Sequence, residues 1–189
     1  NRAASLPEFV ASFRGYAVSG QNMLAVDTAG HIAMTLAVRL PARSYDRPDR
    51  LLLDPDHPAH QWNGFYEAPD LPVAFDPPEG FIVSTNNRPT DFKTPIGYFF
   101  SGRDRLQRLR ALLEANESVS IDQLKGMQRD TYSPAAHELA ATWLQLIDQH
   151  DLDTVSTDLV ASLRTWDGRY DVHARGPVAF EMLTYHIVQ

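Results

Sequence analysis

The character of the sequence changes near residue 103, and this change constrains the fold more than any other feature. Up to about residue 100 the chain is rich in proline, glycine and short apolar runs, whereas from Asp104 onward apolar residues recur at helical spacing. We therefore predict an α+β fold in two parts. Residues 1–103 form a β-rich part with a long proline-rich excursion, and residues 104–189 form a helical part.

Composition excludes several classes of protein. A chain of 189 residues can bury a sizeable core. Its net charge of -7 leaves no basic stripe to neutralise phosphates, which argues against a nucleic-acid partner. The absence of cysteine excludes disulfides and thiolate chemistry. No apolar run approaches the roughly 18–20 residues of a membrane span.

The amino-terminal segment has neither a start methionine nor the apolar stretch of a signal peptide. The chain begins at Asn1 in the middle of a sequence pattern, which suggests a proteolytic product or an excised region.

The β-rich part opens with a predicted helix over residues 5–16, capped by Ser5. A β-hairpin follows, with strands at 22–27 and 31–38 and Gly30 in the turn. Asp27 resembles a catalytic acid, but beside this turn it is expected to bond backbone groups instead.

Most of the prolines fall in residues 40–79, a segment without clear periodicity. Its aromatic residues argue against disorder because they offer large areas to bury; they are Trp62, Phe65, Tyr66 and Phe75. We expect an ordered excursion packed on the sheet, followed by a strand over residues 80–85.

Five helices are predicted in the second part. The first runs from Asp104 to about Ala115, and the second is capped by Ser120 with Gln123 completing a capping box. The third starts with Ser133 in the cap position and Pro134 in the first turn, and it runs to about His150. Its inward residues are Leu139, Trp143, Leu146 and Ile147. The fourth opens at Ser156 or Thr157 and ends at residues 166–168, and the fifth spans roughly 177–187.

Motifs for a metal site, a nucleophilic serine or a phosphate loop are weak or missing. His57 and His60 in the loop of Asp54 and Asp56 suggest a metal site, but their spacing matches no zinc pattern, and a surface turn is favoured. No serine sits in a Gly-x-Ser-x-Gly elbow, and no glycine-rich phosphate loop is present. We predict no metal bound by this chain.

Four stretches carry a more specific signal because they occur in a fixed order: QNMLAVDTAGHIA (21–33), PVAFDPPEGFIVSTNNRP (72–89), GYFFSGRDRLQRLRALL (97–113) and WDGRY (166–170). The set resembles the β-chain of penicillin acylases, a family of N-terminal-nucleophile hydrolases. The resemblance implies antiparallel strands from that family's sheet followed by a mostly helical lobe.

The family's chemistry is amide hydrolysis by an amino-terminal serine freed by autoproteolysis, whose own α-amino group is the general base. The resemblance implies that Asn86 donates to the oxyanion and that Arg105 supports Asn86 and the amine. Gln21 stands where the family has a wall of the acyl pocket, and Asn87 holds the turn or contacts substrate. The nucleophilic serine would lie outside this chain.

The leading hypothesis is therefore a segment of an amidohydrolase that cleaves linear amides, such as β-lactam side-chain amides or N-acyl homoserine lactones. Its partners would be a small amide substrate and the rest of the parent enzyme, namely an α-chain and the upstream β-chain. The resemblance implies a periplasmic or secreted protein without a cofactor. Calcium in the parent stays open, although Thr94 stands where several members have a carboxylate.

The alternative is a folded, non-catalytic binding or structural module derived from the same family. The two readings differ in surface character. A piece of a larger domain should expose an apolar sheet face or edge, whereas a self-contained module should not.

Overall fold

The computed structural model describes residues 2–44, 52–89, 96–97, 99–151 and 153–188. The fold is α+β, as predicted, and the chain divides into two compact units, Asn1–Ser101 and Gly102–Gln189. The elements of the first unit are α1 (Leu6–Ala11), β1 (Gln21–Val26), β2 (Ile32–Ala37), β3 (Leu40–Arg43), β4 (Trp62–Tyr66) and β5 (Val73–Phe75). Those of the second are α2 (Asp104–Glu114), α3 (Ile121–Met127), α4 (Pro134–Ile147), α5 (Thr154–Arg164) and α6 (Gly176–Val188).

Helix α1 begins where its cap chemistry predicts. The Ser5 hydroxyl accepts the N–H of Glu8 at 3.3 Å, and the Glu8 carboxylate accepts the N–H of Ala4 at 2.8 Å. The helix ends at Ala11, earlier than predicted, but Phe13 still meets the ring of Phe9 with 5.1 Å between centroids.

The predicted hairpin is confirmed as β1 and β2, which pair antiparallel from Gln21 opposite Ala37 to Val26 opposite Ile32. Asp27 bonds the turn, as expected, because its Oδ1 accepts the N–H groups of Ala29 and His31, each at 2.9 Å. Strand β5 pairs with the other edge of β2, so the sheet order is β1-β2-β5.

The proline-rich segment is more regular than its sequence suggests. Strands β3 and β4 form a second, two-stranded sheet, and short 3-10 turns lie at Pro58–His60 and Ala68–Asp70. The expectation that its aromatic residues are buried is wrong for three of them: Trp62, Phe65 and Phe75 are 60%, 41% and 48% exposed. An arginine lies against one of these rings instead, with the Arg39 guanidinium carbon 4.1 Å from the Phe65 centroid.

The two faces of the larger sheet differ. On one face Ala33, Thr35 and Ala37 are fully buried, and α1 packs against their strand with Leu6 and Val10. The opposite face is apolar and open: Leu24 and Val26 are 52% and 70% exposed beside half-buried Ile32, Met34 and Leu36. This open face is the surface expected of a piece of a larger domain.

The predicted strand over residues 80–85 is wrong. Residues 81–84 belong to neither sheet of the described chain, and Gly80 turns the backbone with φ 78°. Phe81, Ile82 and Val83 have high strand propensity, but a strand also needs a neighbouring backbone to complete its ladder.

The predicted caps of the second unit are confirmed at two helices. Ser120 and Gln123 form the capping box of α3, and the Ser133 hydroxyl accepts the N–H of Ala136 at 3.3 Å. Helix α5 begins earlier than predicted because Asp153 is its cap, accepting the N–H of Ser156 at 2.8 Å. No helix of the described residues has the length and apolarity that crossing a bilayer requires.

The core of this unit lies where α4, α5 and α6 meet. Trp166 and Phe180 are 6% and 5% exposed and pack beside Ala136, Ala140, Leu163 and Ala179. Trp143 faces this core as predicted, but Leu139 and Leu146 are 41% and 57% exposed because small alanines occupy the contact face of α4.

An ion-paired cluster joins three segments of the second unit. Arg108 forms a two-pronged pair with Asp130, at 2.6 Å from Nε and 3.0 Å from Nη2. Arg169 of the Trp-Asp-Gly-Arg-Tyr motif donates to the same carboxylate at 3.2 Å. Both guanidinium groups lie near the ring of Tyr132.

Candidate active site

Residues 84–88, the asparagine turn, carry the predicted oxyanion donor. Asn86 adopts a left-handed backbone with φ 60°, a conformation that asparagine tolerates better than most side chains. Its neighbour Thr85 is buried at 5% exposure. The side-chain oxygen of Asn87 accepts both the N–H of Thr85, at 3.1 Å, and its hydroxyl, at 3.2 Å.

Contacts from distant segments also hold the asparagine turn. The Nδ2 of Asn22 donates to the Ser84 hydroxyl at 2.7 Å, which ties β1 to the start of the turn. The N–H of Ser101 donates to the carbonyl oxygen of Asn86 at 3.0 Å. The Arg88 guanidinium carbon lies 5.5 Å from the centroid of Phe100.

The turn borders a cleft of about 500 Å³ within the first unit. That volume lies in the range of about 300–1,000 Å³ that small-molecule sites occupy. Its polar wall is made of side-chain amides and one hydroxyl: Gln21, Asn22, Ser84, Asn86 and Asn87. Its apolar wall is formed by Leu36, Pro89, Ile96, Phe99 and Phe100.

The chemistry of the cleft follows from these side chains. Carboxamide groups supply neutral N–H donors, which can stabilise negative charge that develops on an oxygen atom. Among the described residues that line the cleft, none carries a titratable side chain. The one hydroxyl there, that of Ser84, already accepts the bond from Asn22. Among its described lining residues, the cleft thus offers neutral N–H donors of a kind that suits a carbonyl oxygen.

The structure brings together three of the four residues singled out from sequence. Gln21, Asn86 and Asn87 all line the cleft, although about 65 positions separate the first from the other two. Arg105 belongs to the second unit, where it is exposed in the first turn of α2.

Sequence reasoning did not single out Asn22, Phe99 or Phe100, which also line the cleft. All three fall inside the motif stretches at 21–33 and 97–113, so the motifs contain them. Nothing in their local pattern marks them as site residues, because their role depends on packing between distant segments.

The histidine loop forms a surface turn, the reading that the sequence favours. The Nδ1 of His57 accepts the N–H of Ala59 at 3.2 Å, and the Nδ1 of His60 lies 2.9 Å from the carbonyl oxygen of Asp54. The two rings stack with 4.5 Å between centroids. Backbone groups of the loop thus engage one nitrogen of each ring.

The carboxylate of Asp54 in the same loop bonds the backbone. Asp54 uses its Oδ1 to accept the N–H of Asp56 at 2.9 Å. Within the described part of the chain, no three His, Asp or Glu side chains converge as metal ligands would. Thr94 lies outside the described residues.

Three comparisons with known proteins each match more than nine-tenths of the chain. The family model described as penicillin amidase matches residues 1–189. Penicillin acylase 2 proenzyme from Pseudomonas sp. (strain SE83) is 28% identical over an alignment of 189 positions, which covers 94% of this chain and 23% of that protein. A solved structure of thermostable penicillin G acylase from Alcaligenes faecalis, in orthorhombic form, matches with a TM-score of 0.67 and 24% identity.

That structural match covers 91% of this chain and 31% of the acylase chain. At 24% identity the match shows a shared fold. By these coverages, the chain spans less than a third of the length of either relative.

Proposed function

The chain belongs to the penicillin amidase family, and on that premise we propose that it forms one wall of the active site of a larger amidohydrolase. The observation that carries the proposal is the cleft, which gathers four side-chain amides and, among its described lining residues, no titratable group. Such a wall suits a donor of hydrogen bonds to an oxyanion and leaves the nucleophile to another segment.

The proposed reaction is hydrolysis of a linear amide. A serine outside this chain attacks the amide carbonyl carbon, and the α-amino group of that serine takes the hydroxyl proton. The amide Nδ2 of Asn86 donates to the oxygen that becomes negative. The C–N bond then breaks, the amine leaves with the proton, and water hydrolyses the acyl-enzyme to release a carboxylic acid.

The other predicted residues have supporting roles. Gln21 and Asn87 would contact the substrate from the polar wall of the cleft. Arg105 would support Asn86 and the serine amine electrostatically. A cation is disfavoured in the first turn of a helix, near the positive end of its dipole, and this suggests a specific task for Arg105 in α2.

The open sheet face supports a larger parent. The exposed side chains of Leu24 and Val26 form an apolar surface on β1 of the kind that a further layer of structure covers. We propose that the remaining α-chain and upstream β-chain of the parent supply that layer. By its resemblance to penicillin acylases, the parent is proposed to be periplasmic or secreted.

The test uses the full-length protein and a chromogenic acyl-anilide. Replacing Asn86 by alanine should lower kcat by roughly 10²–10³-fold, the usual effect of losing one oxyanion donor. The matched control is Asn63→Ala, which removes an exposed asparagine of the second sheet and should leave kcat unchanged. A kcat that is equally insensitive to both substitutions would overturn the role of Asn86.

Two further measurements separate the parts of the proposal. The isolated 189-residue chain should show no turnover; turnover that Asn86→Ala abolishes would place the nucleophile in this chain. Arg105→Ala should lower kcat roughly tenfold or more, because a hydrogen bond to a charged group contributes about 1.5–3 kcal/mol. Arg129→Ala, at an exposed arginine of the same unit, is its control.

A further inference from the structure

The backbone of Asn86 is the least ordinary feature of the asparagine turn. Among the described residues, only Asp76 and Asn86 have a positive φ without being glycine. For a residue with a Cβ, the left-handed region is higher in energy than the other allowed backbone conformations. Contacts with the surroundings must therefore hold Asn86 in it. Where the Asn86 side chain enters the cleft depends on that backbone, because the Cα–Cβ bond rotates with φ and ψ.

The bonds between Thr85 and Asn87 enclose Asn86. The Asn87 side chain folds back over Asn86, and its oxygen accepts two bonds from the preceding threonine, at 3.1 Å and 3.2 Å. These two bonds form a clamp between Thr85 and Asn87. Thr85 is 5% exposed, so packing fixes its end of the clamp. Asn87 is only half-buried and owes its position in part to these two bonds.

We propose that Asn87 is a positioning residue: the bonds that its side-chain oxygen accepts from Thr85 hold Asn86 in its left-handed conformation and so aim the Asn86 amide at the oxyanion. This inference rests on the proposed function of Asn86. It assigns the side-chain oxygen of Asn87 to the turn. The Nδ2 of Asn87 donates one hydrogen to the carbonyl oxygen of Arg88 at 3.4 Å, and the second hydrogen is left for the substrate contact proposed above.

The decisive experiment is a double-mutant cycle on kcat in the full-length protein, with the acyl-anilide as substrate. Asn87→Ala should lower kcat at least roughly tenfold, since a misplaced catalytic group can cost about 10²-fold. In the Asn86→Ala background the same substitution should change kcat by less than about twofold, because an effect on kcat that passes through Asn86 is lost when that amide is absent, whereas a substrate contact of Asn87 alters KM.

Two results would overturn the positioning role. Equal losses from Asn87→Ala in both backgrounds would mean that Asn87 acts independently of Asn86. A change confined to KM, with kcat unaltered, would make Asn87 a substrate contact alone. If Asn86→Ala itself leaves kcat unchanged, the proposed function fails first, and the cycle reports that separately.

A second pair of variants decides the matter if Asn87→Ala does not fold. Thr85→Val removes the hydroxyl donor from the clamp with almost no change in shape, whereas Thr85→Ser keeps both donors. Positioning through Asn87 predicts that kcat falls several-fold in the valine variant and is restored in the serine variant. Equal kcat values for valine and serine would overturn it.

Discussion

The side chain of Asn22 donates from Nδ2 to the hydroxyl of Ser84 at 2.7 Å, across 62 positions of sequence. This bond joins the first strand of the sheet to the asparagine turn, and both residues line the cleft. The cleft therefore depends on a contact that no local pattern in the sequence specifies.

Asn22→Ala should loosen the asparagine turn. A neutral hydrogen bond contributes about 0.5–1.5 kcal/mol, so amide exchange in the peptide spanning residues 84–88 should quicken by roughly 2- to 10-fold. Hydrogen-exchange mass spectrometry measures this directly. The matched control is Asn63→Ala, which removes the same kind of bond, to Ser44 at 2.6 Å, from the second sheet. Equal exchange in both variants would show that Asn22 does not hold the turn.

Thr35→Val should leave the chain as stable or more stable. The Thr35 hydroxyl is fully buried and finds no hydrogen-bond partner among the described residues. Replacing it with a methyl group of similar shape removes an unsatisfied buried group, so the free energy of unfolding should rise by about 1 kcal/mol. Urea unfolding gives the value.

Thr85→Val is the comparison for that substitution. The Thr85 hydroxyl donates to Asn87, so the same exchange of atoms should lower the free energy of unfolding there, by about 1 kcal/mol. If both variants are destabilised alike, the Thr35 hydroxyl has a partner after all.

Asp130→Asn should destabilise the second unit and remove part of its acid sensitivity. Hydrogen bonds from Arg108, and more weakly from Arg169, hold the pKa of Asp130 below its ordinary value of 3.8. Because the pKa of Asp130 is lower in the folded than in the unfolded chain, its carboxylate stabilises the fold at pH values above the ordinary pKa. That stability is lost as the pH falls through the pKa of the folded state. The loss at neutral pH should be about 1.5–3 kcal/mol.

The measurement is urea unfolding at several pH values between neutral and strongly acidic. Asp122→Asn is the control, because Asp122 is 92% exposed and its bond to Lys125 is a surface ion pair. The asparagine variant at 130 should show a flatter pH profile below pH 4 than the control. Parallel profiles would contradict the role of Asp130.

His31 should titrate above its ordinary pKa of 6.5, because the carboxylate of Asp76 accepts a hydrogen bond from its ring at 2.7 Å. The contribution of this pair to stability is present below pH 6.5 and is lost as pH rises through the folded pKa. Asp76→Asn keeps a side chain that tolerates the φ of 39° at this position. An NMR titration of His31 should then return towards 6.5. An unchanged titration would mean that the pair does not form in solution.

How much of this structure the sequence predicts depends on the range of the interaction. Local sequence correctly predicts the caps Ser5, Ser120 and Ser133, because a cap bonds a backbone N–H three residues away. The start of α5 was misplaced because Asp153, Ser156 and Thr157 are all good caps, and the local pattern does not rank them.

The errors in the first unit share a different cause. Residues 81–84 have strand propensity, but whether they pair is decided by distant backbone, and the same holds for the unforeseen strands β3 and β4. The contacts that form the cleft join residues that are even further apart in sequence. Gln21, Asn86 and Asn87 could be named from ordered motifs, whereas the packing that unites them with Asn22 and Phe100 has no local signature.

The way the asparagine turn is anchored has a consequence for how such a site can diverge. Its anchors are Asn22, Asn87 and the backbone of Ser101. The apolar residues Ile96 and Phe99 border the same cleft but take no part in the hydrogen bonds of these anchors. Under the proposed function, substitutions at Ile96 or Phe99 would reshape the space offered to an acyl group while the Asn86 amide keeps its geometry. Specificity and chemistry would then be free to change at separate sets of positions.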